Sequence, residues 1–156
     1  MMLEALAEWP LAVALRNSAI VYPLVSAAHI ASIGLLLGAV VTLDLRLLGA
    51  FRSHSIGHLA PPLMGVATVG LVAATVTGFL LFSTRPVAYA QNPAFLAKIG
   101  LLGFAVSNAL VLRFHPWWRG GARHGEVPVF VQAAALFSLL CWLSAIVAGR
   151  WIGFLQ

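Results

Sequence analysis

The chain has 156 residues, 62% of them hydrophobic and only 8% charged, with a mean hydropathy of +0.99. A water-soluble domain carries about 25% charged residues, so this balance excludes the soluble globular class and points to an integral membrane protein. The formal charge of +5 comes from basic residues scattered along the chain, with no basic run interleaved with aromatics, which argues against a nucleic-acid partner.

Four segments reach the roughly 20 residues that a bilayer crossing requires: about 18–43, 61–83, 94–114 and 129–149. Lipid offers no partner to an open backbone, so each segment must satisfy its own peptide groups as a helix. The prediction is an all-α fold: a single transmembrane domain over 1–156, an integral membrane antiparallel four-helix bundle with a short N-terminal interfacial helix. The partner implied by composition is the lipid bilayer.

In chain order, Glu4 and Glu8 stand one helical turn apart, with Trp9 beside them. A secretory signal would carry positive charge here, so the segment reads as an interfacial helix broken near Pro10, with Trp9 at headgroup level. The first span follows, with Pro23 near its start and His29 well inside it. At about 100° per residue, Ser26, Ile33, Leu36, Val40 and Asp44 share the His29 face. Ala27, Ala31, Gly34 and Gly38 fall opposite, a small-residue stripe predicted to pack closely on a neighbouring helix. Asp44 and Arg46 mark the water boundary, and Arg113 is the expected partner of Asp44.

The next connector holds Arg52, His54 and His58, and Pro61 and Pro62 suit the first turn of the second helix. Gly70, Ala74 and Gly78 form a second ridge of small residues. Asn92 followed by Pro93 reads as an N-cap and first helical residue, which puts Lys98 about one and a half turns inside the third span. Asn108 lies deeper. After His115 and Pro116 comes a turn-rich basic loop with two tryptophans. The fourth span carries Gln132, Ser138, Cys141, Trp142 and Ser144, and Arg150 and Trp151 anchor its end. The lone Cys141 reads as a packed thiol.

Arg46, Arg52, Arg113, Arg119 and Arg123 flank the connectors after spans one and three, while Arg16, Arg85, Lys98 and Arg150 lie towards the other side with Glu4 and Glu8. This asymmetry predicts that both termini lie outside the cytoplasm.

His29 is the sharpest chemical signal. An imidazole at that depth needs a partner, and three readings stand: an axial haem ligand, a proton- or quinone-handling group, or a hydrogen-bonded structural histidine. A four-helix membrane bundle can hold haem b between its helices, with His29 as the metal ligand. No other histidine lies at comparable depth, so such a haem is five-coordinate or takes its second ligand from another subunit. Lys98 either snorkels to the headgroups or serves as a counter-charge for a haem propionate or quinone oxygen, with Arg85 assisting.

His54 and His58 have a metal-compatible spacing, but Ser55, Ile56 and Gly57 between them have poor helix propensity, and no thiol or carboxylate completes a set. Together with His115 and His124 they read as solvated loop histidines. Three methionines and one cysteine are too few for copper handling. Glu4 and Glu8 are the only paired carboxylates, and no nucleophile–base set or phosphate loop occurs, which argues against soluble-type hydrolysis and phosphoryl transfer.

The stretches YPLVSAAHIASIGLLLGAVVTLDLRLLG, TGFLLF and YAQNPAFLAKIGLL, between Tyr22 and Asn108, resemble a large group of small four-helix bacterial inner-membrane proteins of unassigned function. That resemblance implies a multi-pass protein of the bacterial inner membrane. More distantly, the order of His29, Arg46 and Lys98 is similar to that in the membrane protoporphyrinogen oxidase and the copper-resistance D membrane domain. The oxidase relatives bind haem b through a first-span histidine, a position His29 matches. Three functions follow as expectations: a haem b protein of membrane electron transfer with a quinone or membrane redox partner, a non-catalytic subunit or assembly factor in a homo- or hetero-oligomer, or an oxidoreductase acting on a porphyrinogen or quinol.

Overall fold

A computed structural model describes the backbone of residues 2–120 and 127–155, with side chains for all of these but 119 and 120. Arg123, His124 and the Arg119 side chain, which figured in the loop and charge readings, lie outside the described residues. Eight helices follow in order: α1 (Met2–Ala7), α2 (Pro10–Asn17), α3 (Val21–Leu47), α4 (Ile56–Thr84), α5 (Pro86–Gln91), α6 (Pro93–Phe114), α7 (Pro116–Gly120) and α8 (Val129–Ile152). No strand occurs among the described residues. Helices α3, α4, α6 and α8 are long and apolar enough to cross a membrane.

The N-terminal segment breaks where Pro10 predicts, into two short helices. Arg16 of α2 donates to the Thr84 carbonyl at the end of α4 over 3.1 Å, which ties the N-terminal segment to the bundle. Asn92 caps α6 as expected: its Oδ1 accepts from the backbone N–H of Ala94 at 3.0 Å and of Phe95 at 3.3 Å. Its Nδ2 donates to the Ile152 carbonyl at 3.3 Å, so one side chain fixes the start of α6 against the end of α8.

Helix α4 starts earlier than Pro61 and Pro62 suggest. Ser55 is its N-cap, and its Oγ accepts from the His58 N–H at 3.3 Å, so both prolines lie inside the helix. The cap supplies an earlier start than propensity alone predicts for Ser55–Gly57. The prolines lack N–H groups but sit within two turns of that start.

Packing is pairwise: α3 lies along α4, α6 lies along α8, and α3 touches α8 between the pairs. No Cα of α4 comes within 8 Å of a Cα of α6, and the two helices meet through side chains in the shared apolar clusters. The tightest approach is at Gly70, where an added Cβ would lie 2.7 Å from the Leu36 backbone N and 2.9 Å from its Cα. The predicted stripe on α3 faces the other way. Gly34 and Gly38 have nothing within 4 Å of a Cβ position, and Ala27 and Ala31 are exposed as well. The close-packing face therefore belongs to α4, and α3 presents to it the larger residues of its His29 face. Two apolar clusters fill the interior, one of Leu36, Ala105, Cys141 and Trp142, the other around Leu47, Ile56, Val131 and Ala135. Cys141 is buried, as its reading as a packed thiol requires.

Candidate functional site

His29 sits between α3 and α4, half-buried. Its Nδ1 lies 2.9 Å from Thr77 Oγ1. The Thr77 hydroxyl donates its one proton to the Ala73 carbonyl at 2.6 Å, so its lone pair is what faces the ring. The Ala74 backbone also lies within hydrogen-bonding reach of the ring. Gly78, the residue after Thr77, supplies the room: a Cβ there would lie 3.0 Å from His29 Cε1. Thr77 and Gly78 together make a seat on α4 that only a small residue beside a hydroxyl can provide.

Lys98, half-buried on α6, lays its side chain across Gly149 of α8, whose Cβ position is 3.4 Å from Nζ and 3.6 Å from Cδ and Cε. It is within electrostatic reach of His29. The two residues thus belong to one half of the bundle, on either helix pair. Arg85 is exposed between α4 and α5, and no described hydrogen bond joins its side chain to His29 or Lys98. His29 is thus seated on the α3–α4 pair, Lys98 on the α6–α8 pair, and Arg85 lies at the surface.

Asp44 lies at the other end of the same α3 face, 15 residues and so about 22 Å along the axis from His29. It is buried, 6% exposed. It forms no ion pair with Arg113. Ser138 of α8 stands beside its carboxyl, and Oδ2 is fully covered with no hydrogen-bond partner among the described residues. The expected pairing fails because the Arg113 side chain stays exposed in the last turn of α6, while Asp44 turns inward towards α8. Arg46 is engaged elsewhere, its Nε donating to the His54 carbonyl at 2.6 Å.

Around Asp44 is a cavity of about 220 Å³ with walls from all four spanning helices, including Leu36, Val40, Leu71, Asn108, Arg113 and Trp142. Asn108 also ties α6 to α8, its Nδ2 donating to the Ala134 carbonyl at 3.0 Å. The sequence places Asp44 on the His29 face but carries no sign of the cavity, because the meeting of four helices around it is a tertiary property. Thr77 was missed for a different reason: it is one of several threonines in its span, and only the register of α3 against α4 singles it out.

The other described histidines, His54, His58 and His115, each contact a different neighbour. The His54 ring contacts the Ser53 hydroxyl at 3.1 Å, His58 contacts Ser55 Oγ at 2.6 Å, and His115 accepts from the Trp117 N–H at 3.2 Å. Among the described residues no group of three or more His, Cys, Asp or Glu side chains gathers as a metal site.

A family of unknown function, DUF6644, matches residues 15–155, and the chain belongs to that family. Comparison with curated proteins and with solved structures finds no match. The matches link the chain to neither the protoporphyrinogen oxidase nor the copper-resistance D domain.

Proposed function

We propose that this DUF6644 member is a haem b protein of membrane electron transfer, with His29 as the axial ligand and Lys98 as a counter-charge for an anionic group of the cofactor. One observation supports the reading: the His29 ring is seated against α4 by the contact of Nδ1 with Thr77 Oγ1, beside Gly78. Histidines that ligate metals are commonly oriented by a hydrogen bond to one ring nitrogen. The donor set fits a single axial imidazole with one cation in the same half of the bundle. When bound, haem b supplies a one-electron couple. This chain's residues orient the ring through Thr77 and Gly78 and set positive charge on the α6–α8 side through Lys98. In this reading the protein lies in the bacterial inner membrane with both termini outside the cytoplasm, and a quinone or membrane redox protein exchanges electrons with it. The test is a reduced-minus-oxidised absorption spectrum with haem quantification on protein purified from haem-replete cells. Near-stoichiometric haem b supports the reading, and a colourless preparation refutes it.

A second reading, a non-catalytic subunit or assembly factor, draws on the outward stripe of α3. Gly34 and Gly38 are open, and with Ala27 and Ala31 they would let a partner helix approach closely. A haem-free protein that purifies in a stable complex with another membrane subunit would favour this reading over the first.

A further inference from the structure

We propose that the groove on the outer face of the α6–α8 pair is a phospholipid site, which takes an acyl chain along its length and the phosphate of an anionic headgroup at its mouth. The groove, of about 450 Å³, runs between Ala94 and Ala97 of α6 and Leu143, Ser144, Ala148 and Trp151 of α8. Most of these side chains are exposed, so the groove faces the surroundings of the bundle rather than its core. Around two spans those surroundings are hydrocarbon, and an unfilled concavity there forfeits contacts that a flexible chain can make. Its length fits one leaflet. Leu143 and Trp151 are about 12 Å apart along the axis of α8, against about 15 Å for half of a bilayer's hydrocarbon core. Trp151 stands one residue before the end of α8, where an indole ring marks the level of the membrane–water interface.

Charge selects the head. Arg150 follows Leu143 by two helical turns and so continues that edge of the groove towards the interface. Its guanidinium lies 5.0 Å from the Phe154 ring centroid, and no hydrogen bond or ion pair engages it among the described residues. A planar guanidinium without a carboxylate partner matches a phosphate, to which it offers two parallel N–H donors. No charged residue lines the walls, so positive charge at the mouth and apolar walls below complement an anionic head on an apolar chain. A partner helix would fill the walls but leave the arginine without an anion, which favours the lipid. On the α8 wheel Gly149, which Lys98 crosses, lies about 100° or more from each groove residue named, so the groove is separate from the His29–Lys98 side.

The experiment places the whole protein in phosphatidylcholine nanodiscs and adds phosphatidylglycerol or phosphatidylcholine with brominated acyl chains, which quench nearby indole fluorescence. The Trp151 contribution is the difference between the parent and Trp151→Phe. Each sample is referred to its unbrominated counterpart, so haem bound at His29 does not enter the reading. Half-maximal quenching of Trp151 is expected at a mole fraction of phosphatidylglycerol about fivefold lower than of phosphatidylcholine. Arg150→Gln should remove that preference. Ala97→Phe, which fills the groove from an exposed position, should remove the saturable quenching by both lipids. Ser144→Leu repeats the filling if Ala97→Phe does not fold. Equal quenching by the two lipids in the parent overturns the proposal, as does a preference that survives Arg150→Gln or saturable quenching that survives a folded filling variant. A parent that forms a dimer which Ala97→Phe separates also overturns it, since the groove then holds a second copy.

Discussion

Replacing Gly70 with alanine should separate α3 from α4 and destabilise the bundle. The new methyl carbon would lie 2.7 Å from the Leu36 N, 2.9 Å from its Cα and 3.0 Å from its Cβ. Two of these atoms are backbone, so no side-chain rotation relieves the contact. Restoring ordinary contact near 3.5 Å requires the helices to part by about 0.7 Å, which weakens the dispersion contacts along the shared face. Overpacking of this kind costs about 1–3 kcal/mol, and an obstruction by backbone belongs at the upper end. Alanine's better helix propensity returns about 1 kcal/mol, leaving a net loss of about 1–2 kcal/mol. Gly38→Ala is the internal control. Nothing lies within 4 Å of its Cβ position, so it should be neutral or stabilising by up to about 1 kcal/mol. The assay is reversible unfolding in mixed detergent micelles, followed by circular dichroism, on both variants and the parent. If Gly38→Ala loses as much stability as Gly70→Ala, the assignment of the packing face is wrong.

Three further outcomes follow from particular contacts. Thr77→Val keeps the shape of the side chain and removes the hydrogen-bond partner of His29 Nδ1, so haem affinity should fall about 10–100-fold by haem titration of the apo-protein, with folded yield retained; unchanged affinity would remove Thr77 from the account. Asn92→Ala should cost about 1–3 kcal/mol in the same micelle assay, since it loses the α6 cap and the bond to Ile152 together; a loss under about 0.5 kcal/mol would show that the cap is dispensable. A cysteine replacing the exposed Ser53 should react with an impermeant maleimide only from the cytoplasmic side, and a reporter fused after Gln156 should behave as non-cytoplasmic; the reverse labelling inverts the orientation.

The sequence was most informative where one solvent or one residue type dictates the outcome. Absence of water fixes helices, so the four spans, the break at Pro10 and the Asn92–Pro93 start of α6 were all legible. The face of α3 that holds His29, Leu36, Val40 and Asp44 was also legible, because it carries the polar residues. What the stripe Ala27–Ala31–Gly34–Gly38 does was not. In a bilayer both lipid and a neighbouring helix are apolar, so small residues alone cannot tell which of the two they meet. Gly70 and Gly34 look alike in sequence, yet one touches backbone and the other touches nothing. Asp44 stands one turn from the end of α3, where charge is common, but its burial beside Ser138 of α8 has no local signature. The cavity depends on how the four spanning helices meet, which has no local signature.

The claim at the centre of the account is that His29 ligates haem, and the most direct measurement compares the absorption spectra of the parent protein and His29→Met at equal protein concentration. Methionine is apolar, similar in length and able to bind haem iron through its thioether, so the variant keeps a potential ligand in the same seat. The account predicts a b-type spectrum in the parent, and in the variant a reduced haem content with a shifted spectrum and a raised reduction potential. A parent protein without haem, or haem with an identical spectrum in both proteins, would contradict it.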